Sequence, residues 1–281
     1  MEWYVFLLLL AGAACHAAWN AMIKLRLEPL DATILISLGT GVIALPFVPF
    51  LGMPDPSSWI FMLGSLAIHF LYYIALAEAY RTGDLGQVYP IARGSAPLLT
   101  ALTSTVVLDE PLGVLGWAGM LTLTSGIILL SFKGRSGVAH LGHRTVVFSL
   151  MTATAIAAYS IVDGLGARTS GNALAYAAIL FVTDGLMMLV FGFWRRGCTL
   201  FHNVEKLWRT LLLGGAFSSV SYAIAIWAMT KAPLALVSAV RETSVLFAAA
   251  LSVALLKERV LPARVIAACL VVAGLVIIRL R

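Results

Sequence analysis

Charge is scarce in this sequence. Of its 281 residues, 11% are charged and 61% are hydrophobic, whereas a soluble domain carries roughly a quarter charged residues. A chain this poor in charge cannot clothe a water-facing surface, which excludes an ordinary soluble enzyme or binding module. The 19 Lys and Arg outnumber the 13 Asp and Glu, but they are scattered through short connections instead of forming one basic patch, which argues against nucleic acid as a partner. Cysteine is equally sparse. Cys15, Cys198 and Cys269 show no metal-ligand spacing, and the two in apolar runs, Cys15 and Cys269, read as small hydrophobes. No nucleotide-binding loop and no His-Glu-x-x-His pair is present. Asp163-Gly164 and Asp184-Gly185 lack the flanking pattern of an aspartyl pair. Enzyme and ATP-driven readings therefore fare badly, and no cofactor or metal is expected.

What the sequence does have is long apolar stretches. Ten can be counted: Trp3–Ile23, Ala32–Leu51, Trp59–Tyr80, Gly86–Leu108, Leu112–Phe132, Thr145–Gly166, Ala173–Phe193, Thr210–Thr230, Leu234–Leu256 and Pro262–Ile278. About 20 residues of helix span the roughly 30 Å of hydrocarbon in a bilayer, so each can cross once. The first run reads as a retained helix and not as a signal peptide, because Glu2 replaces a basic n-region and the run continues through Trp19. The expected fold is an all-α membrane protein.

The chain also repeats itself. A shift of 148 residues carries Arg93 onto Arg241, Leu98 onto Leu246, Glu110 onto Glu258 and Gly126 onto Gly274. Ala17-Ala-Trp-Asn20 in the first run is echoed by Ala157-Ala-Tyr-Ser160 in the sixth. The halves are residues 1–132 and 143–281, with five helices each. Five is odd, so the second half enters the bilayer from the opposite side, giving two inverted five-helix repeats. Of the 19 basic residues, 13 fall in the connections after odd-numbered helices. The positive-inside rule then places those connections in the cytoplasm and both termini outside, in a multi-pass protein of the inner or plasma membrane.

Arginine within hydrocarbon costs roughly 2.5–3.5 kcal/mol on insertion scales, so it marks a cavity or a buried partner. Arg93 lies in the fourth run between Pro90 and Pro97, each of which removes a helix hydrogen bond and invites a kink. Arg241 and Glu242 lie in the ninth. Either arginine could hold a carboxylate or phosphate through its planar fork. Pairing of Arg93 with Glu78, or of Arg241 with Glu242, would instead make them structural. Adjacent helix residues diverge by about 100°, which disfavours the second pairing. Asp184 also lies deep, whereas Glu78 and Asp163 lie nearer run ends. His16, Trp19, Asn20, His69, Tyr72, Tyr73, Tyr89, Tyr159, Tyr222 and Trp227 complete the candidate substrate-binding set. His69, Tyr72 and Tyr73 recur at the spacing of one helix face, and a cavity walled by aromatics with a few polar tips suits an amphipathic small molecule. His16 and His69 are candidate proton carriers, since imidazole titrates near neutral pH. Asp109-Glu110 and Lys257-Glu258-Arg259 read as helix-end caps and gate-side ion pairs.

Tyr89-Pro-Ile-Ala-Arg-Gly-Ser-Ala-Pro-Leu98 followed by Leu108-Asp-Glu-Pro-Leu112, with Val240-Arg-Glu-Thr-Ser244 followed by Leu256-Lys-Glu-Arg259, resembles the drug/metabolite transporter superfamily, in its ten-helix EamA-type branch. The likeness extends over both halves. It implies a transporter of small metabolites whose central cavity opens alternately to each side, and it leaves the substrate open among amino acids, nucleotide sugars, sugar phosphates and organic cations. The sequence departs from the small multidrug exporters of that superfamily. Their first-helix glutamate is absent, and His16, Trp19 and Asn20 occupy that helix instead, which weakens a cation-for-proton antiport reading. The expected function is secondary active transport of a small polar or amphipathic metabolite of amino-acid or organic-anion type, more in export than in uptake, with protons as the candidate coupling ion. An uptake permease for a small organic acid or phosphonate, and a non-transporting membrane scaffold or receptor, are the alternatives. The expected partners are the substrate and the lipid bilayer, and the chain could work as a monomer or a homodimer.

Overall fold

The computed structural model describes residues 1–23, 29–82, 85–131, 142–197, 208–256 and 262–280. Among these every regular element is helical, and ten helical segments follow one another. They are α1 (Trp3–Ile23), α2 (Pro29–Ala44, prolonged by short turns to Leu51), α3 (Trp59–Thr82), α4 (Leu85–Val107), α5 (Gly113–Ser131), α6 (His143–Thr169), α7 (Ala173–Arg196), α8 (Thr210–Met229, opening on a π-helical turn), α9 in two pieces (Leu234–Arg241 and Ser244–Leu256), and α10 (Pro262–Arg279). Nine of these are apolar enough along their length to cross a membrane. The tenth, α4, has 23 residues and is long enough, but Arg93 and its polar neighbours lower its hydropathy.

Large apolar side chains point outward. Leu63, Val106, Val114, Val190 and Trp194 are all exposed, while alanine, serine and glycine fill much of the interior. A bilayer rewards this inside-out arrangement, because lipid is as apolar as leucine and helices gain most by close backbone approach. The α5–α10 contact shows the consequence. A Cβ on Gly126 would lie 2.7 Å from the Val271 nitrogen, and one on Gly274 would lie 2.5 Å from the Leu123 nitrogen. Both positions therefore require glycine, and they are the two that the repeat superimposes.

The main helix contacts obey the repeat. Helix α5 packs on α10 and α2 on α7. Helix α3 packs on α6 as α8 does on α1, and α4 packs on α6 as α9 does on α1. Each contact maps onto itself or onto another when every helix is exchanged with the one five places away. The connections sort into two ends. At one, Arg196 Nε donates to Asp31 Oδ1 at 3.1 Å, and the Thr145 hydroxyl donates to the Thr82 carbonyl at 2.7 Å. At the other, Asp55 N–H donates to the Ser170 carbonyl at 3.0 Å, and Asn172 Nδ2 donates to the Leu51 carbonyl at 3.1 Å.

Helix interruption falls where the prolines do not predict it. Helix α4 runs unbroken past both Pro90 and Pro97. Its counterpart α9 is interrupted at Glu242–Thr243 with no proline inside it. There the backbone switches to tighter bonds: Thr243 N–H donates to the Val240 carbonyl at 3.1 Å and Val245 N–H to the Glu242 carbonyl at 3.1 Å. The Thr243 hydroxyl also donates to the Val240 carbonyl at 2.7 Å, the local competition by which a threonine bends a helix.

Candidate functional site

Two polar clusters occupy the bundle interior. The first joins the halves. Arg93 is 8% exposed and Glu242 is 2% exposed, and Arg93 Nη1 donates to Glu242 Oε1 at 3.2 Å. Arg93 also meets His16 Nε2 through its other terminal nitrogen. His16 packs edge-on to Trp19 at 5.0 Å, and Asn20 Nδ2 donates to the His16 carbonyl at 2.9 Å, so the Asn20 amide is held by its own helix. Glu78, the other carboxylate considered for Arg93, instead pairs with Arg81 at 2.8 Å near the surface. The Arg93–Glu242 pair spans 149 residues, and each partner neutralises the other where an unpaired charge would be costly.

The second cluster is aromatic. His69, Tyr72 and Tyr73 of α3 face Tyr159 of α6 and Tyr222 of α8. The His69 ring lies 4.5 Å from Tyr159 and 6.0 Å from Tyr222, and Tyr159 lies 5.9 Å from Tyr222. Arg241 covers the Tyr222 ring at 4.9 Å. Arg241 and Glu242 therefore diverge as helical geometry requires, one toward Tyr222 and the other toward Arg93. Among the described residues Arg241 forms no ion pair, and it is only half-buried although it lies mid-span.

Two aspartates underlie this cluster. Asp163 is fully buried and accepts hydroxyls from Tyr176 at 3.0 Å and from Tyr222. Asp184 accepts from the Tyr73 hydroxyl at 3.0 Å. From the sequence Asp163 lies near a run end, and Tyr176 and Ser37 carry no distinguishing pattern. Position along a helix does not tell what the neighbouring helices bring to it, so only the Asp-Gly pairs hinted at these residues. Trp227 lies apart from both clusters, 6.0 Å from Tyr4 of α1. The side chain of Tyr89 lies outside the described ones, as do Lys257-Glu258-Arg259. Glu110 does cap a helix: its Oε2 accepts from Leu234 N–H at 2.9 Å at the start of α9, and its Oε1 pairs with Arg168 at 2.6 Å.

The EamA-like transporter family model matches this chain twice, over residues 3–132 and 143–280. The chain belongs to the EamA-like transporter family. This EamA protein is accordingly a multi-pass membrane transporter of small molecules, built from two repeats. A solved crystal structure superposes on it with a TM-score of 0.74 and 18% sequence identity, covering 99% of this chain and 96% of that one. That likeness extends the shared architecture over the full length, and at this identity it speaks for the fold alone.

Proposed function

We propose that this EamA transporter is a secondary exporter in the inner membrane. Its substrates are small amphipathic metabolites bearing a carboxylate, amino acids foremost. Arg241 carries the reading. It is an arginine placed mid-span, half-buried, without an ion-pair partner among the described residues, and set over the ring of Tyr222, which itself packs against Tyr159 and His69. Its fork suits a carboxylate bidentately, and the aromatic walls suit an apolar side chain. Glu242 Oε2 is buried and has no hydrogen-bond partner, so it offers an acceptor for a substrate ammonium. Arg93 serves differently, holding Glu242 in place from the other half. The halves, 1–132 and 143–281, would rock about this centre to open it to each side in turn.

Counterflow in proteoliposomes tests the reading. Labelled aromatic and branched amino acids should accumulate against an internal pool of the same solute. Small organic acids without an amino group should compete less well. Counterflow of organic acids or phosphonates alone would move the substrate class away from amino acids. No counterflow with any carboxylate would contradict the reading.

A further inference from the structure

Asp184 lies midway along the 24-residue α7. Its Oδ2 accepts from the Tyr73 hydroxyl at 3.0 Å, and that hydroxyl lies 3.0 Å from Ser37 Oγ. Its Oδ1 is buried and has no hydrogen-bond partner. Facing it at 3.8 Å is Nδ1 of His69, which is also buried and also has none. Buried polar atoms are nearly always satisfied, so two orphans facing each other mark a place where something belongs. The gap is too long for a direct hydrogen bond. Asp163 offers the contrast: each of its oxygens receives a tyrosine hydroxyl.

The groups that confront Asp184 can be named element by element. Ser37 comes from α2, and His69 and Tyr73 from α3, with the Tyr72 ring tilted against that of Tyr73. Asp163 lies across the aromatic cluster on α6, joined to Tyr222 of α8, over which Arg241 of α9 is placed. No lysine or arginine forms an ion pair with Asp184 among the described residues; His69 is its one possible cation. A lone carboxylate in the interior is costly, and taking up a proton removes that cost.

We propose that Asp184, with His69 beside it, is a proton-binding site through which a proton gradient drives transport. This rests on the secondary-transport reading above and supplies its coupling ion. A proton from one side of the membrane bonds to Asp184 Oδ1, converting carboxylate to carboxylic acid, and the acid hydroxyl then points at His69 Nδ1, to which it donates once the two side chains close the 3.8 Å gap. Release of that proton to the other side restores the carboxylate, so one proton crosses per cycle with no other reactant. The Ser37–Tyr73 hydroxyl row touches the second carboxylate oxygen and offers the proton a hydrogen-bonded approach from α2.

The test needs no transported solute. The full-length protein, carrying ¹³C-labelled aspartate, is reconstituted in liposomes and titrated by infrared difference spectroscopy. The wild type should show the carbonyl stretch of a protonated, buried aspartic acid, displaced by the label and lost on raising the pH. Asp184→Asn should remove that band, and Asp163→Asn should leave it. Should Asp184→Asn fail to fold, His69→Phe keeps an aromatic in place and removes the facing nitrogen. The pH at which the band disappears should then move by about one unit, the usual scale of losing a neighbouring group. The assignment is overturned by a band that survives Asp184→Asn, by one insensitive to His69→Phe, or by no labelled acid band in the wild type. Wild-type counterflow decides the transport reading separately. A silent counterflow assay with the band intact contradicts transport, and active counterflow without the band contradicts the proton site.

Discussion

Arg93 and Arg241 occupy equivalent places in the two halves, and almost nothing else about their surroundings is equivalent. Arg93 stands in a helix that contains two prolines and runs unbroken, and its charge is met by Glu242. Arg241 stands at the end of an eight-residue piece in a helix without internal proline, and it faces a tyrosine ring instead of a carboxylate. The duplication supplies two arginines at equivalent positions. The residue next to Arg241 then neutralises the first half's arginine, which leaves Arg241 without an ion-pair partner among the described residues. The helices differ for a related reason. Pro97 withholds the N–H that would bond the Arg93 carbonyl, yet α4 tolerates the loss, and the adjacent Gly94 carbonyl receives the Thr124 hydroxyl at 3.4 Å. In α9 the hydrogen bonding tightens at Thr243 directly after Arg241 and Glu242, which as adjacent residues already point to different neighbours.

The comparison can be broken most forcefully at Arg93. Arg93→Ala strands Glu242 in the core and should cost about 3–5 kcal/mol, read as a large fall in melting temperature in detergent. Adding Glu242→Gln should recover much of it. A single variant as stable as the wild type would mean that the ion pair does not hold the halves together. Next come the repeat-related glycines. Gly274→Ala and Gly126→Ala each drive a methyl into facing backbone and should each lose roughly 1–3 kcal/mol. A large loss at one and none at the other would show that the halves meet less symmetrically along α5 and α10 than described. Thr243→Val removes one hydroxyl bond at the break, with an expected cost near 1 kcal/mol and a measurable change in exchange rate. The smallest expected effect on stability is that of Pro97→Ala, since α4 is already continuous there. Transport should slow nonetheless if the proline eases bending during the cycle, and unchanged exchange at saturating substrate would show the residue to be merely tolerated.

The ten helical segments and the repeat are legible in the sequence because hydrophobic length and a fixed shift are properties of the chain alone. The fate of each buried charge is not. Arg93 finds Glu242 across 149 residues, and no local pattern encodes that choice over Glu78. Prolines remove helix hydrogen bonds, but they do not fix where a helix is interrupted: α4 is continuous past both of its prolines, and the interruption falls in α9, which has none. Asp163 and Tyr176 lie 13 residues apart, one late in α6 and the other early in α7, and only the turn between the helices brings them together. Trp227 shows the converse: residue type alone suggests a wall of the site, whereas its depth along α8 places it against Tyr4.

The division of labour between the two arginines is tested most directly by measuring melting temperature and substrate affinity together for Arg93→Lys and Arg241→Lys. Lysine keeps the charge and loses the fork. Arg241→Lys should melt close to the wild type and bind the transported solute about tenfold more weakly, the equivalent of roughly 1.4 kcal/mol. Arg93→Lys should lower the melting temperature and leave the affinity of the folded molecules nearly unchanged. The reverse pattern, with Arg241→Lys unstable and fully competent to bind, would contradict the account.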